Sequence, residues 1–348
     1  MIGTMKVAVM TGIGQMAQVE RKIPQIKDDE VLIRLEYVGI CGSDLHYFEN
    51  GRIGDYIVEP PFVLGHEAGG TVVEVGGQVT HLKAGDRVAL EPGATCGECE
   101  FCRTGKYNLC PDVVFFATPP VDGVFQEYTA HKASLCFKLP ENVSTLEGAL
   151  IEPLAVGFHA ANQGEAHKGQ SAVVFGAGCI GLMSMMALLA KGVANVYVVD
   201  VIQKRLDKAL ELGATGIINS AKQDVQQESM MLTDGKGFDL AIETAGIQIA
   251  AVQAIHIVKK GSNVVLVGYS KTGVFEIPVN VVLDKEIQIK TVFRYRHIYP
   301  TAIEAVASGS VNLKNIVSDI IDFDNIQYAM KQSIMDKENI IKTVIRIN

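Results

Sequence analysis

The sequence predicts an α/β protein in two domains, a mostly β domain of barrel-like form followed by a doubly wound parallel sheet. Three features lead to this expectation. The chain has 348 residues, too many for one ordinary core at roughly 150 residues per domain. Up to about Glu152, short β-type runs alternate with glycine-rich turns. From about Leu154 the rhythm becomes strand, helix, strand, and six such strands are what a complete dinucleotide-binding sheet requires.

In the first half the expected strands are Lys6 to Thr11, Val31 to Val38, Gly70 to Val75 and Arg87 to Leu90. In the second they are Val173 to Phe175, Val196 to Asp200, Gly216 to Ile218, Leu240 to Glu243, Val264 to Val267 and Ile287 to Ile289. Helical stretches such as Lys204 to Leu212 and Ala250 to Val258 separate most of these. Beyond Val292 a helix at Thr301 to Ala307, a strand at Ile316 to Ile321, a helix at Asn325 to Met335 and a strand at Ile341 to Ile347 come after a sheet that is already finished. The expected division is therefore 1–153, 154–292 and a segment 293–348 that returns to the first domain.

Bulk properties exclude several function classes. A formal charge of −8 without any run of lysines or arginines lacks the footprint of a phosphate-backbone binder, so no nucleic-acid partner is expected. Met1 to Val7 reads straight into a strand and carries no secretory pattern, so the expected location is cytoplasmic. Gly169 to Ala190 has no charged side chain and is by length a candidate membrane span. Its β-branched run, broken by Gly176, Gly178 and Gly181 before a Leu/Met/Ala segment, instead reads as a buried strand turning into a buried helix, and no membrane partner is expected.

That same stretch holds the fingerprint Gly176-Ala177-Gly178-Cys179-Ile180-Gly181, after a strand and before a helix. Alone the motif is weak. In this context the glycines permit a tight turn and bring a pyrophosphate to the helix N-terminus, where free amides and the helix dipole favour negative charge. Asp200 ends the next strand, where a carboxylate accepts from the adenosine ribose and repels a 2′-phosphate. This predicts NAD rather than NADP. Arg205 weakens the preference slightly and is expected over the adenine. Gly268 and Phe293 complete the expected cofactor set.

Seven cysteines in a chain expected to be cytosolic point to metal or chemistry rather than disulfides. Cys96, Cys99, Cys102 and Cys110 follow C-x2-C-x2-C-x7-C in a glycine- and charge-rich loop. Four close thiolates can enclose one tetrahedral Zn²⁺ and leave no place for substrate, so a structural zinc is expected, with an iron–sulfur cluster as the chemical alternative. Elsewhere, Gly39-Ile40-Cys41-Gly42-Ser43-Asp44-Leu45-His46-Tyr47 and Leu64-Gly65-His66-Glu67 supply a thiolate, an imidazole and a carboxylate, and Glu152 offers a second carboxylate. Three protein ligands with one open position make a catalytic zinc site.

At these motifs the chain resembles the zinc-dependent medium-chain dehydrogenases, and within them the sorbitol and xylitol dehydrogenase branch. The resemblance runs through GICGSDLHYFENGRIGDYIV, LGHEAGGTV, the cysteine lobe, ATPPVDGVF, GALIEPLAVG, the glycine fingerprint and VFRYRH. It implies a GroES-like catalytic domain beside a Rossmann domain, a homotetramer, and a catalytic zinc on Cys41, His66 and a carboxylate that is either Glu67 or Glu152. The alcohol dehydrogenase branch places a cysteine where Glu152 stands, a departure that favours polyols. By the same resemblance Tyr47, Phe115, Thr118, Glu152, Arg294 and Tyr295 contact substrate, and their acceptors and donors suit a chain of hydroxyls. Arg294 paired with Glu152 is also compatible with a purely structural hinge.

The expected chemistry is removal of hydride from a secondary carbinol carbon to the nicotinamide ring, with a zinc Lewis acid acidifying the hydroxyl. Ser43 would accept the proton and pass it through the nicotinamide ribose towards His46, which releases it to solvent. Rivals are a zinc dehydrogenase of threonine or a vicinal diol, and a non-catalytic metal- or NAD-binding scaffold.

Overall fold

The computed structural model describes residues 1–348. It divides into two compact units: Met1–Glu152 with Tyr299–Ala307 and Leu313–Asn348, and Pro153–Ile298 with Ser308–Asn312.

The first unit is built on a seven-stranded sheet. Its strands run in the order Cys136–Lys138, Arg87–Leu90, Glu67–Val75, Glu30–Gly39, Thr343–Arg346 and Asp319–Asp322, with Tyr128–Lys132 also paired to Glu30–Gly39. Val31, Ile33, Leu35, Val38, Val72, Val88 and Leu90 are buried in its core together with Leu64 and Phe125, as β-branched and aromatic side chains on a pleated surface require. Strand Glu30–Gly39 holds the sheet's two halves together. Its last residue, Gly39, lies opposite Glu67 on one neighbour and opposite Val344 on the other. The C-terminal segment thus supplies strands to this sheet.

One tail element differs from its expected place. Lys314–Ile316 forms a 3₁₀ turn, and the strand is Asp319–Asp322 rather than Ile316 to Ile321. The parallel register with Thr343–Arg346 fixes it, and Ile316 is spent in the core instead.

The second unit carries a six-stranded parallel sheet: Gly216–Asn219, Asn195–Asp200, Ser171–Phe175, Phe238–Glu243, Val258–Leu266 and Gln288–Thr291, in that spatial order. In order along the chain this is 3-2-1-4-5-6, in which the chain reverses direction beside the first strand. The uncharged stretch is divided here between strand Ser171–Phe175 and the 12-residue helix Cys179–Ala190. No helix of the chain is long and apolar enough to cross a membrane.

Glu243 ends the fourth of these strands with its side chain wholly buried. One oxygen accepts from the amides of Ala245 and Gly246, both at 2.8 Å. Burial nevertheless pushes its carboxyl up to about 7. An acid raised in the fold from an unfolded value near 4.5 stabilises fully below that value and loses the contribution as pH rises through about 7. Glu243→Gln keeps the acceptor and removes the charge. It is expected to match wild type in urea denaturation at about pH 4 and to exceed it at about pH 8 by up to about 3 kcal/mol. A stability that changes equally with pH in wild type and Glu243→Gln would refute this.

Candidate metal and cofactor sites

The short helix Gly42–Asn50 comes directly after strand Glu30–Gly39 and carries Ser43, Asp44, His46 and Tyr47. Cys41 precedes its first turn. Gly65 and His66 lead into the neighbouring strand, which Glu67 begins, so the two motifs meet at the ends of paired strands. The result is a trio: one ligand atom from each of Cys41, His66 and Glu67 lies within 4.8 Å of the other two. Glu152, in the first turn of helix Ile151–Gln163, is not in that trio.

Asp44 fixes the arrangement, although no separate signal marks it in the sequence. Its side chain is fully buried. Oδ2 accepts from the Cys41 amide and Oδ1 from the Gly65 amide, both at 2.9 Å. Oδ1 also stands 3.6 Å from His66 Nδ1. One carboxylate therefore ties the two motifs together and orients the imidazole, the outer-shell arrangement that aims a metal-ligating histidine. Burial opposes a charge on His66, but Asp44 and Cys41 outweigh it and hold the imidazole well above its usual range. A cation at the trio would take the place of that proton. Thiolate, imidazole and carboxylate at this spacing fit a divalent ion of borderline softness such as zinc, with a coordination place left open.

The other residues expected at the substrate are distributed over both units. The Phe115 ring lies 5.9 Å from that of His66. Tyr47 is buried, Ser43 and Thr118 are half-buried and His46 is exposed. In the second unit Tyr295 is buried and Phe293 exposed. The Arg294 guanidinium sits 4.8 Å over the Phe293 ring. Arg294 adopts φ 54°, a left-handed backbone that costs a branched or long side chain about 1 kcal/mol or more.

The cysteine lobe brings its four sulfurs within 4.8 Å of one another. Cys96 Sγ lies 3.5 Å from Cys110 Sγ and 3.9 Å from Cys102 Sγ. Thiolates held about 2.3 Å from a tetrahedral zinc stand about 3.8 Å apart, so the cluster fits that ion. All seven cysteines are free of disulfides. The amides of Glu98 and Cys99 hold the Cys96 thiol down at about 7, which favours the thiolate a metal needs.

The glycine fingerprint occupies the turn between Ser171–Phe175 and Cys179–Ala190. A Cβ on Gly181 would land on the Gly176 carbonyl oxygen, so only glycine lets the helix start this close to the strand. Ile180 stands in the first turn of that helix. Gly268 packs against the turn Thr244–Gly246, where a side chain would strike backbone. Asp200 is brought to the same place: Oδ2 accepts from the Ala177 amide at 2.6 Å and Oδ1 from the Ile202 amide at 2.8 Å. Arg205 Nη1 lies 3.8 Å from where a Cβ on Gly178 would stand.

Known proteins share both the metal-ligand unit and the dinucleotide unit. Residues 27–141 match the alcohol dehydrogenase GroES-like domain and residues 179–308 the zinc-binding dehydrogenase domain. Sorbitol dehydrogenase of Bacillus subtilis is 44% identical over 99% of this chain and 98% of its own. A probable D-xylulose reductase A of Aspergillus clavatus is 40% identical over 97% and 95%. Among solved structures, an oxidoreductase/dehydrogenase of unknown specificity from Escherichia coli superimposes with a TM-score of 0.96 at 43% identity, covering 99% of this chain and all of that one. Identity at this level along the whole length, with both domain matches in order, decides the matter: the chain belongs to the zinc-dependent medium-chain dehydrogenase family.

Proposed function

We propose that this protein is an NAD-dependent polyol dehydrogenase that oxidises a secondary hydroxyl of a sorbitol- or xylitol-type sugar alcohol to the ketose. The observation that carries the reading is the Cys41, His66 and Glu67 trio, tied by Asp44, in a chain whose relatives bear polyol and ketose names. Cys41, His66 and Glu67 hold the catalytic zinc; Glu67 is preferred to Glu152 as third ligand because Glu152 is not within the trio. Cys96, Cys99, Cys102 and Cys110 hold a structural zinc.

When bound, the catalytic zinc supplies a Lewis acid that acidifies the substrate hydroxyl. Ser43 takes the proton, and exposed His46, at the far end of the relay, releases it to solvent. Tyr47, Phe115, Thr118, Glu152, Arg294 and Tyr295 hold the polyol. Glu152 accepts and Arg294 donates to its neighbouring hydroxyls. Gly176, Gly178, Ile180, Gly181, Asp200, Arg205, Gly268 and Phe293 bind NAD. In this reading Met1–Glu152, completed by Tyr299–Ala307 and Leu313–Asn348, form the catalytic domain and Pro153–Ile298 bind the dinucleotide, so 293–298 stay with the second unit instead of opening the returning segment.

The protein is further proposed to be a cytoplasmic homotetramer. Strand Gln288–Thr291 ends its sheet, and Tyr269, Val274, Val279 and Leu283, in the segment before it, are 75%, 63%, 58% and 67% exposed. An edge strand and apolar side chains left uncovered favour assembly there.

Steady-state assays with sorbitol, xylitol, iditol, galactitol, a vicinal diol and threonine, each with NAD and NADP, test the substrate class. Polyols with NAD are expected to give the highest kcat/KM and a ketose product. Turnover of the diol or threonine without turnover of any polyol would assign the enzyme to the rival substrate class.

A further inference from the structure

Lys342 belongs to the C-terminal segment, yet its ammonium is spent beside the ligand trio. Nζ pairs with Oε2 of Glu67, and the two side chains are 3% and 1% exposed. Nζ also donates to the Ile40 carbonyl at 2.9 Å, between the strand end and Cys41. The pairing runs over strand Glu30–Gly39. Gly39 lies opposite Glu67 on one side and Val344 on the other. A Cβ on Gly39 would land on Glu67 Oε2 and come within 3.1 Å of Lys342 Cε. The missing side chain at Gly39 is what lets the carboxylate cross to the ammonium.

A desolvated ion pair is a weak stabiliser, and apolar side chains of similar volume hold a sheet as well. The reason for this pair is better sought in charge. A thiolate, a carboxylate and a neutral imidazole together cancel a divalent cation. The Lys342 ammonium returns one positive charge to the centre and claims one of the two Glu67 oxygens.

We propose that Lys342 is a positioning residue for the metal centre, which restricts Glu67 to partial use as a ligand and keeps the bound cation more electrophilic than the trio alone would. This rests on the reading that Cys41, His66 and Glu67 hold zinc. Removing the ammonium frees Glu67 to grip the cation harder and lowers its Lewis acidity. A lysine that merely braced the sheet would act in the opposite direction: its loss would loosen the trio and release the cation sooner.

The test is the rate of zinc transfer from zinc-loaded enzyme to a chromogenic chelator. The phase due to this centre is the one missing from His66→Ala. In Lys342→Gln, which keeps a donor for the Ile40 carbonyl, that phase is expected to slow by about tenfold, with kcat lowered and KM for NAD unchanged. Lys342→Arg, which keeps the charge, is expected to restore both. Release that is unchanged or faster in Lys342→Gln, or an arginine variant that behaves like the glutamine one, overturns the proposal. A crystal structure of the zinc-loaded wild type decides independently of any variant. Lys342 still on Glu67 supports the proposal, and Lys342 withdrawn with both Glu67 oxygens on zinc overturns it. A wild type that binds one zinc per chain removes the underlying metal reading, a result distinct from either variant outcome.

Discussion

Replacing His66 by alanine is expected to reduce bound zinc from two ions per chain to one and to lower kcat/KM by about a thousandfold or more. With three protein ligands, loss of one leaves a thiolate and a carboxylate that cannot hold the ion against water and buffer. His66 is also the group Asp44 aims, so its loss leaves the fully buried Asp44 without its imidazole partner. Elemental analysis beside steady-state kinetics checks both parts. Cys96→Ser serves as the contrasting variant: it is expected to remove the other ion and to lower thermal stability, since a closed four-sulfur shell contributes to folding and offers substrate no place. Two zincs and full turnover in His66→Ala would take the catalytic metal out of the mechanism. The same experiment separates an enzyme from a scaffold, because a scaffold whose cysteine lobe alone holds metal binds one zinc per chain in the wild type and loses none of it in His66→Ala.

The strands, the parallel sheet and the fingerprint were legible because each rests on a short-range pattern. Ala172–Phe175 is apolar throughout and gives a strand buried on both faces, and the four lobe cysteines lie within 15 consecutive positions, 96 to 110. Asp44 and Lys342 were not legible for the opposite reason. Asp44 stands inside a motif whose cysteine and histidine draw attention, while its chemistry lies in an amide 21 positions away. Lys342 reaches a carbonyl 302 positions back, and an isolated lysine before an apolar run resembles any surface cation. Only the antiparallel register, which sets Val344 beside Gly39 and Gly39 beside Glu67, shows that this lysine ends next to Glu67. The displaced strand Asp319–Asp322 has the same origin, since its partner strand rather than its own apolar run chooses its bounds.

Asp200 shows how one side chain can serve both fold and specificity, and how the two can be separated. Each of its oxygens already accepts one backbone amide, from Ala177 in the fingerprint and from Ile202 in its own turn. A carboxylate oxygen has capacity for a second donor, so under the proposed function the ribose hydroxyls of NAD would add to these bonds without displacing them. Removing the whole group in Asp200→Ala forfeits the tie to the fingerprint together with the ribose contacts. Two charge-assisted bonds at about 1.5 kcal/mol each put the expected loss in kcat/KM for NAD at about a hundredfold. Asp200→Asn isolates the charge. Its amide keeps one acceptor for the backbone but no longer repels a 2′-phosphate, and the nearby Arg205 guanidinium, beside Gly178, then offers that phosphate a cation. The expected result is a smaller loss with NAD and a gain with NADP, so that the NAD-to-NADP ratio of kcat/KM narrows more in the asparagine variant than stability changes in urea would explain. If both variants keep the wild-type ratio, Asp200 is a backbone tie alone, and cofactor preference must be set by another group.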